Sequence, residues 1–291
     1  MKLLRFTALS ILSCAAAPLL AGDPGVSWET EASFAGVAES RFKGTSFRGD
    51  VSEVDFGFHA VASKQSGGGP LIRAGVEWRR YDFGLPDRAP LPDTMQSLAL
   101  VLGADFQIGE AWLFRLEVTP GFYSGGDDFR AADLNVPVLL GGSYFVSADL
   151  QFVAGVELDV NRKYPVLGAV GLRWKFAPGF VLNAVLPNPR LEYSFSKSLT
   201  AYVGADLRET TYRMDSAFGR SRGRRKLDGA IVDHTQIRVG AGASWSVNSN
   251  LTLECEAGVV PVHEFDYHRA EVGVSSSGVP AYGGISLKAA F

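Results

Sequence analysis

Apolar residues recur at every second position along most of the chain. In the segment 251–259, for example, Leu251 and Leu253 are separated by Thr252 and followed by Glu254. This period of two predicts β-strands with one apolar face, and helical spacing fits these segments less well. The segments that show it include 54–62, 72–78, 98–108, 112–118, 152–160, 166–176, 199–207, 237–245, 251–259 and 285–291. We therefore predict an all-β fold.

The lengths of these segments and of their connections indicate how the strands are arranged. The strands run about 9 to 12 residues, which is what a tilted strand needs to cross a bilayer. Short turns and long polar loops alternate along the chain, as they do in outer-membrane barrels. The short turns are 109–111, 177–179, 196–198 and 247–250, and the long loops are 41–50, 83–94, 124–133, 213–230 and 264–279. This predicts a transmembrane antiparallel up-and-down β-barrel of about 14 strands, with 12 as the alternative and both termini on the short-turn side.

Large aromatic residues cluster within a few positions of the short turns. Such placement is expected of an aromatic girdle at one membrane interface. The alternative is the aromatic core of a soluble sandwich, which does not explain why the long loops lie on one side. The residues concerned are Phe106, Trp112, Phe114, Phe152, Trp174, Phe176, Phe180, Tyr193, Phe195 and Trp245.

Composition excludes several classes of protein. The chain has 291 residues, of which 46% are hydrophobic, and this apolar share is too high for a disordered chain. Its 2 cysteines cannot build a disulfide framework. The formal net charge of -3 argues against a nucleic-acid partner.

Residues 1–22 have the layout of a secretory signal peptide. Lys2 and Arg5 form a basic start, an apolar run follows, and small residues end the segment at Ala21 and Gly22. The residues before Cys14 resemble a lipoprotein box, which leaves lipidation as an alternative. The boundaries we predict are a signal peptide at 1–22 and one barrel domain at 23–291.

The last strand carries a resemblance to a known class. The segment 282–291 alternates and ends on Phe291, and in this it resembles bacterial outer-membrane β-barrel proteins. The resemblance implies the outer membrane of a Gram-negative-type envelope, with membrane lipid and the barrel-assembly machinery as partners, the latter through Phe291. The stretches 78–83, 171–176 and 186–193 also resemble an uncharacterised barrel family, a domain of unknown function. That resemblance implies the fold and no activity.

If the apolar face meets lipid, the alternate charged positions line the lumen. Unpaired buried ions would cost several kcal/mol each, so these charges need water or partners of opposite sign. The candidate lumen-lining residues are Arg73, Glu77, Arg79, Arg115, Glu117, Glu157, Asp159, Arg173, Lys175, Arg190, Glu192, Arg208, Arg238, Glu254 and Glu256. We expect a passive channel or transporter for small solutes, because a 14-strand barrel is wide enough for a solvated lumen. The structural alternative is a barrel closed by ion pairs whose surface loops bind partners.

Two further features carry candidate chemistry. A basic surface loop, which could pair with phosphates of envelope sugars, comprises Arg220, Arg222, Arg224, Arg225 and Lys226. On an extended strand Glu264, Asp266 and His268 share a face, so a metal or proton-transfer site is conceivable there, while His263 points the other way. Asp233 and His234 could contribute to a site of the same kind. The alternative for both segments is that these are ordinary polar residues where a strand meets its outer loop.

A barrel hydrolase is a second alternative. The chain has 4 histidines and no G-x-S-x-G motif. We predict no enzyme activity, catalytic residue, cofactor or metal site.

Overall fold

The structure, a computed structural model, describes residues 25–44, 47–65 and 67–291. The predicted signal peptide and Cys14 lie outside these residues. Its strand segments are β1 (Ser27–Gly44), β2 (Phe47–Gln65), β3 (Leu71–Gly84), β4 (Thr94–Ile108), β5 (Trp112–Val118), β6 (Gly121–Gly125), β7 (Leu134–Asn135), β8 (Val138–Phe145), β9 (Leu150–Leu158), β10 (Val166–Ala177), β11 (Phe180–Ala184), β12 (Arg190–Ser194), β13 (Leu199–Met214), β14 (Ile231–Ser246), β15 (Leu251–Tyr267), β16 (Val272–Ser276) and β17 (Ala281–Ala290). One short helix, α1 (Phe218–Ser221), and the 3₁₀ turns Ala131–Asp133, Arg225–Leu227 and His268–Ala270 complete the described elements. None of these helices has the length and apolar character needed to cross a membrane.

These segments form a closed antiparallel barrel of 14 strands, as predicted. β5 with β6, β7 with β8, and β16 with β17 each build one strand of the wall, because each pair continues along the same neighbours. Pro120, Pro137 and Pro280 lie in the three interruptions. A proline has no N–H to donate to a ladder, so it breaks the strand locally. β1 pairs with both β2 and β17, which closes the barrel.

The connections alternate between two rims. The rim that carries both ends of the barrel has the turns 109–111, 146–149, 178–179, 195–198 and 247–250, and we call it the short-turn rim. The opposite rim, the loop rim, carries the longer connections 85–93, 126–133, 159–165 and 215–230. Outer-membrane barrels place their short turns in the periplasm and their long loops outside the cell.

Two predicted loops are wrong. Residues 41–50 belong to the β1–β2 hairpin, where Arg41 pairs with Asp50 and Phe42 with Gly49. Most of 264–279 is strand as well, and Glu264 pairs with Ser275. The reason is that β1, β2 and β15 have 18, 19 and 17 residues. Such strands outreach the bilayer, so their polar outer ends look like loops in the sequence.

The outer surface of the barrel is apolar. Predicted lipid-facing residues are exposed there, with Leu100 at 51% and Val170 at 81% of their full accessibility. Near the short-turn rim, Trp174, Phe176 and Phe180 form a chain of ring contacts at 5.5 and 5.7 Å between centroids. The ring contacts continue from Phe180 to Tyr193 at 4.5 Å and from Tyr193 to Phe195 at 4.8 Å. These rings form the girdle expected at a membrane interface.

The wall is shorter at β11 and β12, and the gap towards the loop rim is closed by β6. β11 and β12 have five residues each, so they do not reach the height of their neighbours. Towards the loop rim, the end of β6 pairs in parallel with the end of β13, at Arg213 with Ser124. Arg130 reinforces this closure, because its guanidinium bonds Asp215 Oδ2 at 2.7 Å and donates to the Met214 carbonyl at 3.1 Å.

Candidate functional site

A polar cavity of about 660 Å³ occupies the half of the lumen that is nearer the short-turn rim. Its lining reaches Glu31, Glu192 and Lys288, each within four residues of a strand end at that rim. At its inner end the cavity meets Tyr81. The charged residues along it come from alternate positions of the strands, which is why they share the inner face.

Ion pairs and hydrogen bonds join several strands along this cavity. Glu254 Oε1 accepts from Arg190 Nη1 at 2.8 Å and from the Tyr202 hydroxyl at 2.6 Å. Its other oxygen pairs with Lys288 Nζ at 2.8 Å. Because Glu254 is 7% exposed, these three donors replace the water that the carboxylate has lost.

A second network crosses the middle of the lumen. Arg238, which is fully buried, donates from Nη2 to Asp55 Oδ2 at 2.5 Å and to Glu53 Oε1 at 3.2 Å. Arg208 bonds the other Asp55 oxygen at 3.2 Å. Gln236 donates to Glu53 Oε2 at 2.6 Å and accepts from Arg238 Nε at 3.0 Å. These contacts join β2 to β14, which are separated by about 180 residues in sequence, and they brace the barrel internally.

An apolar cluster fills the lumen towards the loop rim, and we call it the plug. The strands supply residues such as Tyr81 and Tyr212, and the loops supply Leu91 and Leu227, all at most 1% exposed. The other buried members are Phe42, Val51, Phe83, Ala89, Met95, Ala99, Tyr123, Met214, Phe218, Val232, Phe265, Tyr267, Val272 and Val274. A continuous solvated lumen was expected. The structure instead has a polar half and an apolar half, because some inner positions near the loop rim are aromatic.

The predicted lumen-lining residues fall into three groups. Those that line the polar cavity are Glu77, Arg79, Arg173, Arg190, Glu192, Arg208, Glu254 and Glu256. Those on the inner face elsewhere are Arg73, Arg115, Glu117, Glu157, Asp159 and Arg238. Arg73 pairs with Glu117, and most of the others pair with residues outside this group. Arg115, for example, forms a two-pronged contact with Asp105 at 2.6 Å for each bond. Lys175 is exposed near the short-turn rim and does not line the cavity.

The predicted basic loop is only partly a free cationic surface. Arg220 pairs with Asp228 at 3.0 Å, and Arg222 pairs with Asp93 at 2.5 Å. Arg224 is half-buried and also has a partner. In this loop, the exposed cations Arg225 and Lys226 lie in or beside a 3₁₀ turn that packs Leu227 into the plug. The basic segment thus anchors a plug residue.

The structure does not gather Glu264, Asp266 and His268 into one site. Asp266 pairs with Lys163 at 2.8 Å, and His268 Nδ1 lies 3.4 Å from Asp233 Oδ2. His263 points inwards, opposite to this face, as predicted.

Sequence reasoning missed several residues of the lumen. Glu53 and Asp55 lie two residues apart on the polar face of an alternating strand. That spacing could have identified them as residues of the inner face. Arg162 gave no such signal, because it lies in the loop 159–165 that folds inwards, where its Nη2 bonds Glu157 Oε1 at 3.0 Å. Burial by itself lowers the pKa of Arg162, yet the net shift is upward because the Glu157 carboxylate stabilises the guanidinium.

No family model matches the sequence. No curated protein matches it either. Solved structures do match in fold. An outer-membrane channel from Pseudomonas putida F1 is 9% identical, with 93% of this chain and 97% of that chain covered and a TM-score of 0.50. The Pseudomonas putida toluene transporter TodX is 10% identical, over 97% of this chain and 95% of that one, at a TM-score of 0.40. KdgM porin in complex with disordered oligogalacturonate is 9% identical. The match covers 90% of this chain and 99% of that chain, with a TM-score of 0.37. This chain has the fold of an outer-membrane channel, a closed antiparallel β-barrel.

Proposed function

We propose that this protein is an outer-membrane channel for small polar solutes and that it rests in a closed state. The observation that carries the proposal is the charged cavity of about 660 Å³, which extends into the barrel from the short-turn rim. A scaffold that only needs a stable interior gains nothing from such a space, since voids and unpaired polar groups both destabilise a core. A solute path, in contrast, requires a polar space that water can fill.

The lining of the cavity favours cations over anions. Its acidic residues are Glu31, Asp55, Glu77, Glu192, Asp206, Glu209, Glu254 and Glu256, and its Arg and Lys residues are Arg79, Arg173, Arg190, Arg208 and Lys288. Carboxylates outnumber these cations by eight to five. Rings of acidic side chains favour cations in pores, so the solutes we propose are small cationic or zwitterionic molecules.

The plug accounts for closure, and its loop residues form the part that can move. Leu91 and Leu227 come from the loops 85–93 and 215–230. Tyr81, in contrast, is held by strand ladders on both sides, and Tyr212 is held by the ladder between β13 and β14. Loops open at lower free energy than ladder-bound strands. The gate is therefore formed by the two loops.

Planar-bilayer recordings of the purified, refolded protein test this function. Replacing residues 87–92 by a Gly-Ser linker of equal length removes Leu91 and the buried Ala89. We expect rare, brief openings in the unchanged protein and persistent conductance in the linker variant, with a reversal potential that shows cation preference in a salt gradient. The matched control replaces the exposed residues 196–198 of a turn at the short-turn rim by a Gly-Ser linker of equal length and should behave like the unchanged protein.

The structural alternative is a closed barrel whose loops bind partners. The network of Arg238 with Glu53 and Asp55 favours it, because these groups join distant parts of the wall. A linker variant that is folded, as judged by heat-modifiable migration in detergent gels, and yet shows no conductance at any voltage would refute the channel and support this alternative.

A further inference from the structure

Two imidazoles and one carboxylate meet inside the barrel, between the polar cavity and the plug. Glu53 lies on β2, His234 on β14 and His263 on β15, and all three are buried. His234 Nε2 is 3.1 Å from His263 Nε2. Glu53 Oε2 is 3.1 Å from His263 Nε2 and 3.6 Å from His234 Nε2. Among the described residues, no other three such side chains bring their ligand atoms this close together.

We propose that Glu53, His234 and His263 bind a transition-metal dication of the Zn²⁺ type. The three ligand atoms define a triangle whose corners lie roughly 1.9 Å from a common centre, whereas Zn–N bonds are about 2.0–2.1 Å and Zn–O bonds about 2.0–2.2 Å. An ion displaced by less than about 1 Å from the plane of these atoms therefore reaches ordinary bond lengths to all three. Gln236 Nε2 lies 3.0 Å from His263 Nε2, so a bound ion would replace that contact.

The orientation of the two histidines fits a metal. Their Nε2 atoms lie 3.1 Å apart, and Glu53 Oε2 lies 3.1 Å from that of His263 and 3.6 Å from that of His234. When a metal occupies the Nε2 side, each neutral imidazole carries its proton on Nδ1 and offers an Nε2 lone pair. The observed convergence of two Nε2 atoms is the arrangement that such binding requires.

Neighbouring polar groups hold the carboxylate in position. Gln236 donates to Glu53 Oε2 at 2.6 Å, and Arg238 donates to Glu53 Oε1 at 3.2 Å. Arg238 makes its shorter contact to Asp55, at 2.5 Å, so its charge is shared between two carboxylates. Outer partners of this kind orient metal ligands and raise affinity.

Aromatic rings surround the histidines and exclude water. Tyr81 meets His234 edge to face at a centroid distance of 4.9 Å, and Phe42 meets His263 in the same way at 4.9 Å. Phe265 stacks on His234 at 4.8 Å. A bound ion would thus link β2 to the β14–β15 pair directly beneath the plug. This inference does not depend on the channel, because binding can be measured whether or not the barrel conducts.

The test measures Zn²⁺ and Co²⁺ binding by the purified, refolded, untagged protein. We expect one Zn²⁺ per chain after dialysis, a Co²⁺ absorption spectrum typical of a site with nitrogen and oxygen ligands, and a denaturation midpoint that rises with added Zn²⁺. His234→Gln combined with His263→Gln should lose all three signals.

The chain supplies its own control, because its other 2 histidines are His59 and His268. Replacing these two with glutamine should leave binding unchanged. The proposal is overturned if the unchanged protein binds no Zn²⁺ and gives no Co²⁺ spectrum, an outcome that does not depend on whether a variant folds. It is also overturned if the His234/His263 variant, folded by its gel mobility, binds Zn²⁺ as tightly as the unchanged protein.

Discussion

Placing a charge on the lipid face tests the partition between the two surfaces of the barrel. Val170 on β10 is 81% exposed and pairs with Ala154 of the neighbouring strand. Four residues towards the short-turn rim lies Trp174 of the aromatic girdle. At about 3.3 Å per residue and a strand tilt near 40°, Val170 lies roughly 10 Å deeper than that girdle, close to the midplane of an apolar band about 25 Å tall.

Val170→Arg should therefore lower the free energy of unfolding by about 2–4 kcal/mol, the range for an arginine at the bilayer midplane. That loss corresponds to a roughly 30- to 700-fold change in the folding equilibrium. Val247 offers a matched control, because it is 44% exposed in the short turn 247–250. The same change there, Val247→Arg, places the charge among headgroups and should cost about 0–1 kcal/mol.

The assay is reversible unfolding by denaturant in lipid vesicles, followed by tryptophan fluorescence. Equal losses for Val170→Arg and Val247→Arg would refute the proposed depth of β10. A loss below about 1 kcal/mol for Val170→Arg would refute the lipid-facing assignment itself, because water-exposed surface substitutions fall within about 0.5 kcal/mol.

Two further substitutions test the interior by denaturant unfolding in the same vesicles. Leu91→Ala removes a fully buried side chain from the plug and should cost about 2–5 kcal/mol, and a loss below about 1 kcal/mol would show that the loop does not pack there. Arg115→Ala leaves the buried Asp105 without its two-pronged partner and should cost about 3–5 kcal/mol. Arg115→Lys keeps the charge but not the planar fork and should lose less, so equal losses for the two variants would contradict the proposed pairing.

The sequence could predict the wall of the barrel, because a strand between two solvents must alternate. It could not predict the plug, although the evidence lies on one strand. On β3, Glu77 and Arg79 share their face with Tyr81 and Phe83, so the inner surface changes from charged to aromatic within four residues. An alternating pattern shows which face of the sheet a residue lies on. It does not show whether that face is in contact with water.

The candidate metal site illustrates a second limit. Glu53 and His263 come from strands at opposite ends of the chain, and they meet only because the barrel closes through β1 and β17. Sequence spacing groups residues that are near in the chain, so it selected Glu264, Asp266 and His268. The bulge in β15 between its pairings with Ile237 and Val239 also shifts which residues point inwards, and no local pattern marks it.

The free energies of the interior decide which part of the lumen can open. Removing one partner from a buried ion pair such as Arg238 with Asp55 costs about 3–5 kcal/mol, and several such pairs brace the middle of the barrel. Exposing Leu91, Phe218 and Leu227 would cost about 1.5–3 kcal/mol for each side chain, or roughly 5–9 kcal/mol together, without breaking a strand ladder. Opening through the loops thus has a population of roughly 10⁻⁴ to 10⁻⁶ without a ligand. A solute raises that population only by binding the open form more tightly than the closed one. The charged cavity is where such differential binding would arise.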